Sequence, residues 1–269
     1  MKTIGIIGSG NLGRHLTRLM CRNKLQMFLV VSDIDDNRAE ELGDECGVDV
    51  VNNLTNIYTS DVIFLATKPN HIKDVCEQVN TVMCSRDIKV PKLIVTAAAG
   101  VPVDKVKEWT KQQHRVVRCM PNIPISEGKG SIVWYPGTSN PADKYLLNDI
   151  TAGPEGVWVP NESLMDPATV ISGCSPAYIS KFFDTYLKIG VEMGFDRDQV
   201  KTLMLHSFEG TLELLRNMNT DEIMEQVASK GGATEKGLEQ LDEDGFTRIV
   251  RKSAFSSLDQ IARITENLE

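Results

Sequence analysis

Thr3-Ile4-Gly5-Ile6-Ile7-Gly8-Ser9-Gly10-Asn11-Leu12-Gly13 decides the fold. A short β-branched apolar run ends at a glycine-rich turn, and His15 to Met20 continues as a helical stretch. The turn reads G-x-G-x-x-G, and strand, turn and helix together are the context that gives this spacing a chemical reason. Gly8 permits the tight turn. Gly10 lets the backbone approach a pyrophosphate. Gly13 lets the helix pack close to the strand, with its N-terminus facing the phosphates. Gly8, Ser9, Gly10, Asn11, Leu12 and Gly13 are therefore the expected cradle of a dinucleotide. The plainer alternative is a glycine-rich turn that binds nothing.

Working outward, Met27-Phe28-Leu29-Val30-Val31 is the next apolar run, and Asp33 follows it, 20 residues after Gly13. A carboxylate there accepts hydrogen bonds from the adenosine ribose hydroxyls. Asp35, Asp36 and Asn37 share the loop, so Asp35 competes for that role, and a cap or turn role for Asp33 stays open. Three more runs follow: Val62 to Ala66, Leu93 to Thr96 and Arg115 to Met120. Each is short and followed by turn chemistry, as buried parallel strands are, with room for crossover helices between them. The expected class is α/β: an N-terminal Rossmann domain with a doubly wound parallel sheet.

The second half changes character. Val200, Leu203, Met204, Ser207, Phe208, Thr211, Leu212 and Leu215 recur at helical spacing and predict one long amphipathic helix. Thr220 opens a short helix with Asp221 and Glu222 in its first turn. Ile249, Ala254, Leu258, Ile261 and Leu268 stripe a last helix. Tyr135 to Pro167, dense in proline and glycine (Gly153 and Pro154 among them), separates the halves. A boundary near Pro160 gives a dinucleotide-binding domain over 1–160 and an all-helical domain over 161–269.

Composition narrows the classes. The chain has 269 residues, 41% hydrophobic, with a net charge of −8, so it lacks the basic footprint of a nucleic-acid binder. Six cysteines form no C-x-x-C pair and none is spaced from a histidine like a zinc ligand, so no metal site is expected. Reduced thiols in a cytoplasmic protein are the expectation. The glycine-rich start does not read as a secretory leader, and no run of 18 apolar residues suggests a membrane span.

Several later segments resemble the pyrroline-5-carboxylate reductase family, in family order across nearly the whole chain. Cys119-Met120-Pro121-Asn122-Ile123-Pro124 resembles its M-P-N-x-P signature, and Val227 to Thr234 its V-x-S-P-G-G-x-T loop. Ser172 to Tyr178 resembles its S-G-S-G-P-A-Y helix start. Ala66-Thr67-Lys68-Pro69 resembles its V-K-P turn, and Ala97 to Gly100 its A-A-G turn. The resemblance implies reduction of the cyclic imine 1-pyrroline-5-carboxylate to L-proline, and a homodimer or larger homo-oligomer formed through the helical domain. It implies Lys68, Pro69, Ala98 and Asn122 at the nicotinamide end of the cofactor site. It implies Ser229, Gly231, Gly232, Ala233 and Thr234 as the substrate loop, with Thr234 orienting ring and carboxylate. The loop has its own logic, because free N–H groups where two glycines open a helix bind carboxylates well.

Four departures bear on substrate identity: Lys230 where the family has proline, Cys174 and Ser175 in place of a small pair, and Ile123 for threonine. Gly137 to Trp158 also matches poorly. No His, Cys or carboxylate in the matched loops stands out as a general acid, so catalysis would rest on positioning and desolvation. Where many relatives carry Ser-x-Arg, this chain has Ser32-Asp33-Ile34. NADH is therefore the expected cofactor, with NADPH as the alternative, and Arg38 is expected to face solvent. Competing readings are a reductase of a different imine and a β-hydroxyacid dehydrogenase, whose G-x-x-x-K-x-x-N motif is missing after Gly173. A nucleotide-binding regulatory protein without turnover is the third.

Overall fold

A computed structural model of the chain describes residues 1–23, 27–151 and 155–266. Gly153, Pro154 and Leu268, named above, lie outside the described residues. The chain runs β1 (Lys2–Ile7), α1 (Asn11–Arg22), β2 (Met27–Ser32), α2 (Asp36–Cys46), β3 (Asp49–Val50), α3 (Asn53–Thr59), β4 (Val62–Leu65), α4 (Ile72–Ser85), β5 (Leu93–Thr96), α5 (Val103–Trp109) and β6 (Arg115–Pro121). Next come β7 (Ser131–Tyr135), α6 (Pro141–Ile150) and β8 (Glu155–Trp158). The helical part holds α7 (Met165–Ala168), α8 (Ser175–Glu192), α9 (Arg197–Leu215), α10 (Thr220–Val227), α11 (Ala233–Glu243) and α12 (Phe246–Glu266).

One eight-stranded sheet has the order β3-β2-β1-β4-β5-β6-β7-β8. The five strands expected from the sequence are β1, β2, β4, β5 and β6, and they pair in parallel. β7 pairs antiparallel with β6, and β8 runs parallel to β7, so the sheet is parallel-dominated, with two reversed strands at one edge. Both reversed strands adjoin or enter the proline- and glycine-rich stretch that the sequence reading treated as a separator. Double winding is visible residue by residue. On β4, Val62 and Phe64 point into one core cluster and Ile63 and Leu65 into the other, all almost fully buried. Each such side chain contributes roughly 1.5–3 kcal/mol of burial.

The chain packs as two compact units, Met1–Pro176 with Ser257–Glu269, and Ala177–Ser256. The division between the packing units falls at Pro176. Arg118, buried on β6, explains why: its guanidinium reaches Glu162 at 3.4 Å and Asp166 at 2.5 Å, holding that segment on the sheet. Met165 to Glu192 is continuously helical, with a π-helical stretch Thr169–Cys174 before α8. Ser172 to Tyr178 thus spans the end of the widened π-helical stretch and the start of α8 at Ser175. Pro176 has no N–H for the Ser172 carbonyl four residues back. That carbonyl accepts instead from Asn122 Nδ2 at 3.4 Å and Ser175 Oγ at 3.1 Å.

In the second unit, α8 and α9 meet where Gly190 abuts Val200, and Phe182 and Phe183 ring Phe208. The predicted long helix is α9, capped by Asp196 and Gln199. Its stripe is not consumed inside the chain: Val200 is buried, but Leu203, Leu212 and Leu215 are 55%, 59% and 42% exposed. α10 starts at Thr220 with Asn219 as its cap. Among the described residues, no helix is long and apolar enough to cross a membrane.

His114 supplies a stability test. It is buried before β6, and its Nδ1 accepts the Lys92 backbone N–H at 3.2 Å. Burial first, then the charges of Lys92 and Arg115, pushes its pKa down from 6.5 to about 4. The unfolded chain binds this proton at higher pH than the folded one, so stability is complete above the unfolded value and is lost as pH falls towards the folded one. The slope for one proton is at most ~1.4 kcal/mol per pH unit. Urea unfolding across that window should show a flatter pH dependence for His114→Gln than for the wild type. Equal slopes would exclude this proton as the cause.

Candidate functional site

The three fingerprint glycines hold three different places. Gly8 has φ +106°, and a Cβ there would lie 2.8 Å from the Ala66 carbonyl. A Cβ on Gly13 would strike the Gly8 carbonyl oxygen, which is the close packing of α1 on the end of β1. Around Gly10 there is open space, and it forms the N-cap of α1 without a side-chain bond. A larger residue at Gly8 or Gly13 would strain the fold itself, whereas one at Gly10 would fill only the cleft. That is the steric signature of a backbone cradle for a phosphate.

The cleft at this turn has a volume of about 500 Å³ and is lined by Gly8, Gly10, Asp33, Thr67, Lys68 and others. Ser9 is buried, and its N–H donates to Asp33 Oδ2 at 2.5 Å. Asp33 Oδ1 accepts the Asp35 N–H at 3.0 Å. These bonds aim the carboxylate and leave it lone pairs for ribose hydroxyls. Asp35 also lines the cleft and pairs with Arg38 at 3.1 Å. Arg38 is exposed, as expected, and it borders the cleft beside Asp35. Asn11 and Leu12 form the first turn of α1, Asn11 exposed and Leu12 packed on the core.

Lys68 precedes a 3₁₀ turn, Pro69–His71, at the cleft wall. Ala98 differs from expectation in one respect: its side chain is buried in the core with Ile94 and Val101, so only its backbone is available to a ligand. Asn122 is a brace. Its Oδ1 accepts the Ser131 N–H at 3.0 Å while Nδ2 reaches Ser172. This ties β6, β7 and the π-helical joint together. Ile123 follows it, exposed.

Asn53 and Gln78 are among the cleft residues that sequence reading missed. Asn53 Nδ2 donates to Gln78 Oε1 at 3.3 Å, and Asn53 Oδ1 is buried without a partner among the described residues. Both side chains line the cleft. An orphaned acceptor there suits a ligand donor. Neither residue belongs to a motif, and only the fold brings α3 and α4 to this wall. Together, the glycine cradle, the uncapped helix terminus, the aimed carboxylate and this acceptor fit a nicotinamide dinucleotide.

The proposed substrate loop belongs to the second unit. Gly232 N–H donates to the Ser229 carbonyl at 2.8 Å, and Gly231 has φ +71°. Ser229 to Gly232 is therefore a type II turn, with Lys230 in the place that proline favours. Gly232 caps α11 without a side-chain bond, and Ala233 and Thr234 fill its first two helical positions. Thr234 is exposed, and its hydroxyl bonds to nothing among the described residues.

Comparison with known proteins decides the family. Residues 162–263 match the pyrroline-5-carboxylate reductase dimerisation family, and residues 3–100 match the NADP oxidoreductase coenzyme F420-dependent family. A pyrroline-5-carboxylate reductase of Methanosarcina acetivorans is 30% identical over 250 residues, covering 90% of each chain. The chain belongs to the pyrroline-5-carboxylate reductase family. A family member from Corynebacterium melassecola is 28% identical over 265 residues, 97% of each chain. A solved pyrroline-5-carboxylate reductase of Coxiella burnetii shares the fold, with a TM-score of 0.86 at 23% identity and 98% coverage of both chains.

Proposed function

We propose that this member of the family reduces 1-pyrroline-5-carboxylate to L-proline. The observation that carries the reading is 30% identity to a curated reductase over 90% of both chains. The steric pattern of the three fingerprint glycines independently supports the dinucleotide part of the reading. A bound nicotinamide supplies the two electrons. The chain's own residues bind and orient. Gly10 and the start of α1 receive the pyrophosphate, and Asp33 takes the ribose hydroxyls and favours NADH. The Ser229–Thr234 loop receives the substrate carboxylate at the start of α11, with the Thr234 hydroxyl orienting the ring. The imine nitrogen carries its proton in from solution, because the loop offers no His, Cys or carboxylic acid to supply one. Six free thiols suit a reducing cytoplasm. A proline-dependent NAD reduction assay at alkaline pH tests the reading; a protein that binds NADH but gives no such activity would contradict it.

Thr234→Ala should lower kcat/KM by about 1–3 kcal/mol of transition-state stabilisation, with NADH affinity kept. Wild-type kinetics in that variant would remove Thr234 from the site. Gly232→Val should do more, since a Cβ there lies 2.6 Å from Ser229 Oγ and would open the turn.

We also propose a homodimer or larger assembly closed by the exposed stripe of α9 together with Phe246, Ile249 and Phe255 of α12. An exposed apolar surface of that extent marks an interface. Sedimentation at micromolar concentration should show no folded monomer, and Leu212→Glu should release one. A purely monomeric wild type would refute it.

A further inference from the structure

We infer that Glu235 is a positioning residue of the proposed substrate loop, acting through the turn and not on the substrate. The inference rests on the reading that this loop receives the substrate. Lys230 and Gly231 occupy the two central positions of the turn, and neither restrains the backbone: lysine leaves φ free, and glycine at φ +71° is the most mobile residue available. Gly232 adds a second glycine and caps α11 with no side chain. The tie across this stretch comes from the helix: the Gly231 N–H donates to Glu235 Oε2 at 2.6 Å. The bond anchors the middle of the turn to the third helical position of α11, so the turn and the free N–H groups at the helix start move as one body. Its acceptor is charged, and its negative charge at a helix N-terminus is electrostatically favoured.

Proline at 230 would supply the same restraint by another route. Position i+1 of a type II turn needs φ near the value the pyrrolidine ring fixes, and the Lys230 N–H donates to nothing among the described residues. The two devices should therefore substitute for one another.

The experiment compares wild type, Glu235→Ala, Glu235→Gln and Glu235→Ala with Lys230→Pro, all checked for assembly and thermal unfolding. It measures KM for 1-pyrroline-5-carboxylate, kcat and NADH affinity. Glu235→Ala should raise KM about 5–10-fold with kcat changed less than about twofold and NADH affinity unchanged, as expected for a lost hydrogen bond that serves binding. Glu235→Gln keeps an acceptor and should stay within about twofold of wild type, and Lys230→Pro should return the alanine variant to a similar range. Unchanged KM in Glu235→Ala overturns the inference. So does a glutamine variant as impaired as alanine, which would assign the effect to charge, and so does failure of proline to rescue, which would place Glu235 on the substrate. Inactivity of the wild type towards the imine overturns the underlying reading and this inference with it; an active wild type with a normal alanine variant overturns the inference alone.

Discussion

Gly10→Ala should fold and melt nearly as the wild type does, yet bind NADH at least ~100-fold more weakly, a loss of about 2.7 kcal/mol. The two halves of that expectation have separate causes. In the protein, nothing lies within 4 Å of where the new Cβ would be, and the residue's φ of −68° and ψ of −172° suit alanine. The folding cost is limited to a poorer N-cap, about 1 kcal/mol or less. The added methyl enters the space through which a pyrophosphate must reach the first turn of α1. Gly13→Ala should behave in the opposite order. Its Cβ meets the Gly8 carbonyl oxygen, so backbone must shift and stability falls first. Fluorescence titration with NADH, beside thermal unfolding, separates the two variants. Wild-type affinity in Gly10→Ala would mean that the cleft is not the phosphate site.

Asp33→Ser should shift the ratio of kcat/KM for NADH over NADPH by at least ~30-fold towards NADPH, about 2 kcal/mol, and the wild type should prefer NADH. A carboxylate and a 2′-phosphate a few ångströms apart repel by up to about 4 kcal/mol at an effective dielectric constant of 20, and partial exposure roughly halves that. Arg38 does not offset it in the wild type, because Asp35 already holds its guanidinium at 3.1 Å. Asp33→Asn is the control, since it keeps an acceptor for the Ser9 N–H, the bond that braces the glycine turn. Wild-type preference for NADPH, or an unmoved ratio in Asp33→Ser, would defeat the argument.

The part of this protein written most plainly in its sequence is the part whose chemistry is local. Gly8, Gly10 and Gly13 could be assigned separate tasks from spacing alone, and each glycine has the steric surroundings that task requires. The five parallel strands were legible because burial makes most of each an apolar run followed by turn residues, the arginines of β6 excepted. β7 and β8 were not, since proline and glycine nearby read as a separator, and only the pairing of β7 with β6 and of β8 with β7 makes them strands. Arg118 hid the packing division, because its partners Glu162 and Asp166 lie inside the stretch that looks like a linker. Asn53 and Gln78 carry no motif, and their place at the cleft is a product of topology. Glu235 stood in plain sight as a helix former; its bond to Gly231 exists only once the turn is formed.

The central claim is reduction of a cyclic imine at its ring carbon, and isotope transfer tests it most directly. The protein is incubated with 1-pyrroline-5-carboxylate and NADH carrying deuterium at C4 of the nicotinamide, in turn on each face, and the product is examined by mass spectrometry. The account predicts L-proline with one deuterium at ring carbon C5 from one of the two labelled cofactors, formed in step with NADH consumption. Consumption of NADH without labelled proline, or no consumption by protein that binds NADH, would contradict it.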